Sequence, residues 1–168
     1  MDAAASDVSA APDTDLGACS SPTECVVAPR SCCGQCGVAT ESDLVGLAVA
    51  QAGAYRAAVC AGMACPACAG RPDPYLVATC AMGACAARDL HTDPLTACAA
   101  DGDCVLAPAT CCGCGVIGAG QAIAYNPAHG SLGDVICDPG MSCPPCVPTY
   151  TGIAARCTSG QCTVVASP

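Results

Sequence analysis

The chain has 168 residues, of which 20 are Cys and none is Lys, Phe or Trp, and its net charge is −9 from five Arg against fourteen acids. Leu, Ile and Val together number only 26, too few large apolar side chains for two half-sized units to offset their chain entropy, so cysteine must close the gap. Five Arg cannot build a basic face for phosphates, which excludes nucleic acids and anionic membrane surfaces as partners; no run of ~18 apolar residues is present to span a bilayer.

In chain order, residues 1–18 read as a disordered acidic leader. They are rich in Ala, Ser and Pro, carry four Asp and no base, and lack the basic stretch and apolar run of a signal peptide. Met1 then either follows a removed signal or begins a cytosolic chain, and the cysteine usage favours the first. Residues 25–29 and 44–49 read as short strands. Residues 51–60 read as a helix with Tyr55 and Val59 on one apolar face. A hairpin follows, from Pro74-Tyr75-Leu76 through Ala81-Met82-Gly83 to Leu90. A polar stretch at 86–97, with Asp93-Pro94 in it, marks a boundary.

Beyond it the order recurs. Strands are expected at 104–107 and 122–125. A helix is expected over 127–137, with Asn126 as its cap, Pro127 at its first position, and Leu132 and Ile136 matching Tyr55 and Val59. Gly133 weakens it by about 1 kcal/mol. The last hairpin turns at Thr158-Ser159-Gly160. The expected fold is therefore a small disulfide-rich α+β protein of two tandem homologous modules, 19–90 and 91–168. Each holds short strands, one short helix and a C-terminal β-hairpin.

The cysteines carry the repeat. The first ten are Cys19, Cys25, Cys32, Cys33, Cys36, Cys60, Cys65, Cys68, Cys80 and Cys85. The second ten are Cys98, Cys104, Cys111, Cys112, Cys114, Cys137, Cys143, Cys146, Cys157 and Cys162. Their spacings agree to within about one residue at every step, and their neighbours agree too: ECVVAP against DCVLAP, GMACPAC against GMSCPPC. An even number in each copy suits disulfides within each module, with a pairing that spacing does not reveal. The adjacent pairs Cys32-Cys33 and Cys111-Cys112 are expected to take different partners, because a bond between neighbours is strained.

Cysteine spacing also admits other chemistries. Cys33-x-x-Cys36, Cys65-x-x-Cys68 and Cys143-x-x-Cys146 have zinc-ligand spacing, and thiolates also suit Cu(I). The second copy replaces the first of these motifs with Cys112-x-Cys114, which does not keep that geometry. His91 and His129 read as solvated rather than ligating. Cys-Pro-Ala-Cys and Cys-Pro-Pro-Cys resemble redox dithiols but follow the helix, where no helix N-terminus lowers a thiol pKa. Asp101 and Asp103 read as solvated, with a weak Ca²⁺ contact as the alternative. No nucleophile elbow, zinc-protease motif or P-loop is present. No catalytic, cofactor-binding or metal residue is therefore expected, and the protein is read as a non-enzyme needing no cofactor. Arg30-Ser31, between Cys25 and Cys32, sits where a small inhibitor presents its scissile-bond mimic, or where a strand crosses into a surface loop.

Two resemblances follow from these motifs. The C-x5-C-x6-CC opening resembles the whey-acidic-protein family of four-disulfide inhibitors over about fifteen residues per copy and stops after Cys33 and Cys112. A longer one runs through Glu24-Cys25-Val26, Asp103-Cys104-Val105, Ala124-Tyr125-Asn126 and the Cys157–Cys162 hairpin. It is similar to Cys-rich modules of predicted bacterial secreted proteins and lipoproteins. That resemblance implies export to the periplasm, cell surface or medium, and the leader looks like the tether of a lipoprotein, implying a lipid anchor upstream. The function expected is a non-enzymatic extracytoplasmic binding or surface-display protein whose partner is a protein or another surface ligand. The alternatives are a thiolate Zn or Cu protein and a protease inhibitor.

Overall fold

The computed structural model describes residues 16–65 and 73–167. Strands β1 (Cys25–Pro29) and β2 (Leu44–Ala48) pair antiparallel with Val27 opposite Gly46. Helix α1 (Ala52–Val59) follows, entered through a 3-10 turn at Val49–Gln51. Strands β3 (Leu76–Ala81) and β4 (Ala84–Asp89) form the first hairpin. Its turn places Met82 at φ 52° and Gly83 at φ 79°, the double positive-φ geometry that matches the twist of a two-residue hairpin. The β1–β2 ribbon lies against the β3–β4 ribbon. They approach so closely that a Cβ on Gly46 would stand 2.5 Å from the Ala86 Cα, so glycine alone fits there.

The second half repeats this order. Strand β5 (Val105–Pro108) pairs antiparallel with β7 (Ala122–Tyr125), and β9 (Ile153–Thr158) with β10 (Gln161–Ala166). The last turn again has two positive φ values, Ser159 at 53° and Gly160 at 82°. Helix α2 (Leu132–Ile136) lies between the ribbons in sequence. A parallel pair of two-residue strands, β6 (Val116–Ile117) and β8 (Thr149–Tyr150), was not expected, being too short to show a period.

Local bonds also recur. Cys19 N–H donates to the Gly83 carbonyl and Cys98 N–H to the Gly160 carbonyl, each at 3.0 Å. Ala48 N–H donates to the Leu16 carbonyl and Asn126 N–H to the Leu95 carbonyl, each at 2.8 Å.

Three expectations need correction. The leader does not extend to residue 18: the Leu16 and Gly17 carbonyls accept from Ala48 and Cys85, and Ala18 bridges Ala84. Residues 1–15 lie outside the described residues. The helix expected over 127–137 is split. Asn126 caps as anticipated, its side chain accepting from Ala128 N–H at 3.0 Å, but what it caps is a 3-10 turn at Pro127–His129. Gly130 then adopts φ 138°, which no helix permits, and Ser131 caps the short α2 afresh. The boundary stretch 86–97 is not a polar spacer: its first residues complete β4, and Leu90, Leu95 and Thr96 are buried.

Those leucines belong to the main buried cluster, which joins Tyr75, Val77 and Leu90 of the first half to Leu95, Ile123, Leu132 and Val135 of the second. Tyr75 is the link. Its hydroxyl donates to the Cys162 carbonyl (3.2 Å) and accepts from Ala124 N–H (2.9 Å), bridging β10 and β7. A surface contact adds to the junction: Thr23 donates to the Asp138 carboxylate from its hydroxyl (2.6 Å) and its N–H (3.2 Å).

Carboxylates close the loops between the first two cysteines of each half. Glu24 accepts from Ser20 N–H (2.6 Å), and Asp103 from Ala99 and Ala100 N–H (2.8 Å each). These backbone donors hold both carboxyls below their ordinary values, as Thr40 does for Asp43, Cys157 N–H and Arg156 for Asp101, and Thr23 for Asp138. Because the folded values lie below the unfolded ones, this stability is present above about pH 4 and is lost as pH falls through the lowered values. The denaturation midpoint of the oxidised chain should be flat from about pH 5 to 7 and fall between about pH 4 and 2. A midpoint that rose on acidification would contradict the assignment.

Candidate functional site

Disulfides position everything in the first half. Cys19 bonds Cys80, Cys25 bonds Cys85, Cys32 bonds Cys60 and Cys33 bonds Cys65. The second half pairs Cys98 with Cys157, Cys104 with Cys162, Cys111 with Cys137, Cys112 with Cys143 and Cys114 with Cys146. In cysteine order the four described bridges of the first half match four of the second. Each adjacent pair does take two different partners. Cys36 is also disulfide-bonded, and Cys68 lies outside the described residues. The pairing of Cys114 with Cys146, at the matching positions, predicts a Cys36–Cys68 bridge. Peptide mapping of the unreduced chain checks it, and a Cys36 peptide linked to any other cysteine refutes it.

Bridging bears on the chemistry weighed for these cysteines. Cys143 and Cys146, the two ends of Cys-Pro-Pro-Cys, bond different loop cysteines and do not form a dithiol pair with each other. Sulfurs do gather: Cys32, Cys33 and Cys65 lie within 4.8 Å of one another, as do Cys111, Cys112 and Cys143. Each group contains a disulfide, and a disulfide sulfur offers no thiolate to a metal.

The other singled-out residues are dispersed. His91 is not simply solvated: its ring stacks on Tyr75 at 4.7 Å, with Nδ1 2.7 Å from Asp89 and Nε2 3.4 Å from Asp73. His129 places Nδ1 2.8 Å from the Pro94 carbonyl. Asp101 accepts from Arg156 and Cys157 N–H, and Asp103 from the Ala99 and Ala100 amides. Arg30 is exposed, but both its main-chain groups are occupied: its N–H donates to the Asp43 carbonyl (2.8 Å) and its carbonyl accepts from the Tyr55 hydroxyl (3.3 Å). An inhibitor's reactive bond offers those groups to the protease, so this geometry does not favour the inhibitor reading.

What the structure does bring together is a cleft of about 600 Å³ in the first half, within the size range of small-molecule sites. It is lined by β1, by the Cys32–Gln35 turn and by α1 through Ala52, Tyr55, Arg56 and Val59, with Leu44 and Leu76 adding apolar surface. The two helices differ in how they pack. Counting back from Cys60 and Cys137, Tyr55 and Ala58 of α1 stand where α2 has Leu132 and Val135. Leu132 and Val135 are 2% and 9% exposed, seated with Ile123 in the core, whereas α1 buries no residue. Helix α1 is held at its end by the Cys32–Cys60 bridge and by the Tyr55–Arg30 hydrogen bond, and it stays open along its length.

Charge around the cleft is uneven. Arg88 pairs with Asp93 and Arg156 with Asp101, whereas Arg56 and Arg30 enter no ion pair among the described residues. Nearby acids are occupied from within. Asp43 accepts from Thr40 and Gln35, and Asp73 accepts from Tyr75 N–H and faces His91.

Sequence reasoning missed this cleft. No family model matches the chain, and no curated protein or solved structure matches it.

Proposed function

We propose that this is a non-enzymatic binding protein that works outside the cytoplasm, with the cleft of the first half as its ligand site. The observation that carries the reading is the asymmetry just described: α1 buries no residue and lines an open cleft, whereas α2 buries Leu132 and Val135 in the core. The second half then serves as the anchor that the first half is bolted to. Matching cysteine order, matching bridges and matching hydrogen bonds support a further reading, that the halves are copies of one module that have since diverged.

Compartment rests on redox chemistry. Structural disulfides at this density persist where the surroundings are oxidising, which supports the periplasm, the cell surface or the medium. The resemblance to secreted bacterial modules points the same way. Alkylation in intact cells of the native host, without reductant, should label none of the cysteines; extensive labelling would place the chain in a reducing compartment.

The binding reading is tested with N-phenyl-1-naphthylamine, a neutral apolar fluorophore. The oxidised chain should bind about one equivalent with enhanced emission. The Ala52→Trp variant, which fills the cleft from an exposed helix, should abolish that signal while the circular dichroism spectrum stays unchanged. Absent binding, or binding indifferent to a folded Ala52→Trp, overturns the proposal.

A further inference from the structure

We infer that the cleft takes a small monoanionic amphiphile, an apolar body inside with a carboxylate at the mouth read by Arg56. The inference rests on the binding reading above and adds the class of ligand to it.

Charge complementarity carries the argument. A chain of net charge −9 repels anions as a whole, so a guanidinium left without an acid is the local exception. Two other arginines are each neutralised by an Asp. Arg56 is not, and Asp73, the acid that lines the same cleft, accepts from Tyr75 N–H and faces His91. Arg30, the other described arginine without an ion pair, sits next to Ser31 at the same cleft.

The second half supplies the contrast. Gly133 occupies the place of Arg56 in α2, so the half whose core is filled has no cation there. The cation and the open apolar space occur together in the first half, as a site for an apolar tail and an anionic head requires.

A planar guanidinium matches a carboxylate through two parallel hydrogen bonds, whereas an alcohol head offers it no charge. One unpaired guanidinium at the mouth suits a single negative charge. A multiply charged head would meet the field of the whole chain with too little local compensation.

The experiment is displacement of bound N-phenyl-1-naphthylamine from the oxidised full chain by octanoate and by 1-octanol, which share a tail and differ in the head. Octanoate should displace the probe at a concentration at least about fivefold lower, and the gap should narrow with added salt. Arg56→Gln should bring the two ligands together by weakening octanoate alone, and Arg30→Gln should narrow the gap less. Equal potency on the native chain overturns the inference and leaves the binding reading standing, as does a preference that survives Arg56→Gln. A chain that binds neither the probe nor either ligand brings down the binding reading itself.

Discussion

Replacing Tyr75 with Ala should cost the oxidised protein about 3–5 kcal/mol, the usual range for truncating a buried aromatic side chain. The loss should fall on the half of the chain that Tyr75 does not belong to. Its ring sits in the cluster with Leu95, Ile123, Leu132 and Val135, and its hydroxyl joins β7 to β10. Tyr75→Phe keeps the ring and removes the hydroxyl, leaving the Ala124 N–H without its acceptor at a residue that is 0% exposed. A buried donor left unpaired costs about 1–3 kcal/mol. Denaturant unfolding with disulfides intact measures both changes. Hydrogen exchange locates them: amides of Ala124, Leu132 and Val135 should lose protection in Tyr75→Ala. A loss below about 1 kcal/mol, or one confined to residues 16–65, would show that the halves do not share a core.

The second large effect concerns a pair of bridges. Cys19–Cys80 and Cys25–Cys85 span 61 and 60 residues. While one is present, however, the other closes a ring of only about eleven residues, since their ends lie close together along both segments. Removing either bridge by paired Cys→Ala substitution should cost roughly 3 kcal/mol by loop-closure entropy. Removing both opens a far longer loop, bounded next by Cys32–Cys60 and Cys33–Cys65, so the joint loss should exceed the sum of the single losses by about 1 kcal/mol. Guanidinium unfolding of the three oxidised variants makes the comparison. A joint loss equal to or smaller than the sum of the single losses would contradict the shared-ring account, strict additivity meaning that the bridges act on separate segments. Cys98–Cys157 and Cys104–Cys162, spanning 59 and 58 residues, should behave alike.

The parts of this fold that were legible beforehand are those set by local chemistry. Val26-Val27 and Leu44-Val45 announce strands, Met82-Gly83 and Ser159-Gly160 announce tight turns, and the strain of an adjacent bridge sends Cys32 and Cys33 apart. The parts that were not legible depend on what meets in space. Tyr75 reads only as the residue before a strand, and its counterpart is Gly152, so comparing the halves gives no hint that it bridges them. His91 reads as a linker residue because Asp73, 18 positions earlier, is brought beside it only by the packed hairpin. The cleft is assembled from β1, the Cys32–Gln35 turn and α1, which only the fold brings together, so no local pattern marks it. Gly133 raised doubt about the second helix, but the break fell at Gly130, whose φ is set by the cap that Ser131 makes.

Every described bridge closes within its own half. Twenty thiols free to combine have about 6 × 10⁸ complete pairings, whereas ten have about 945. As synthesis proceeds from the N-terminus, the earlier cysteines can finish oxidising before the later ones emerge. A nascent chain arranged this way searches two small libraries in succession, and a delay between them becomes an aid to correct maturation.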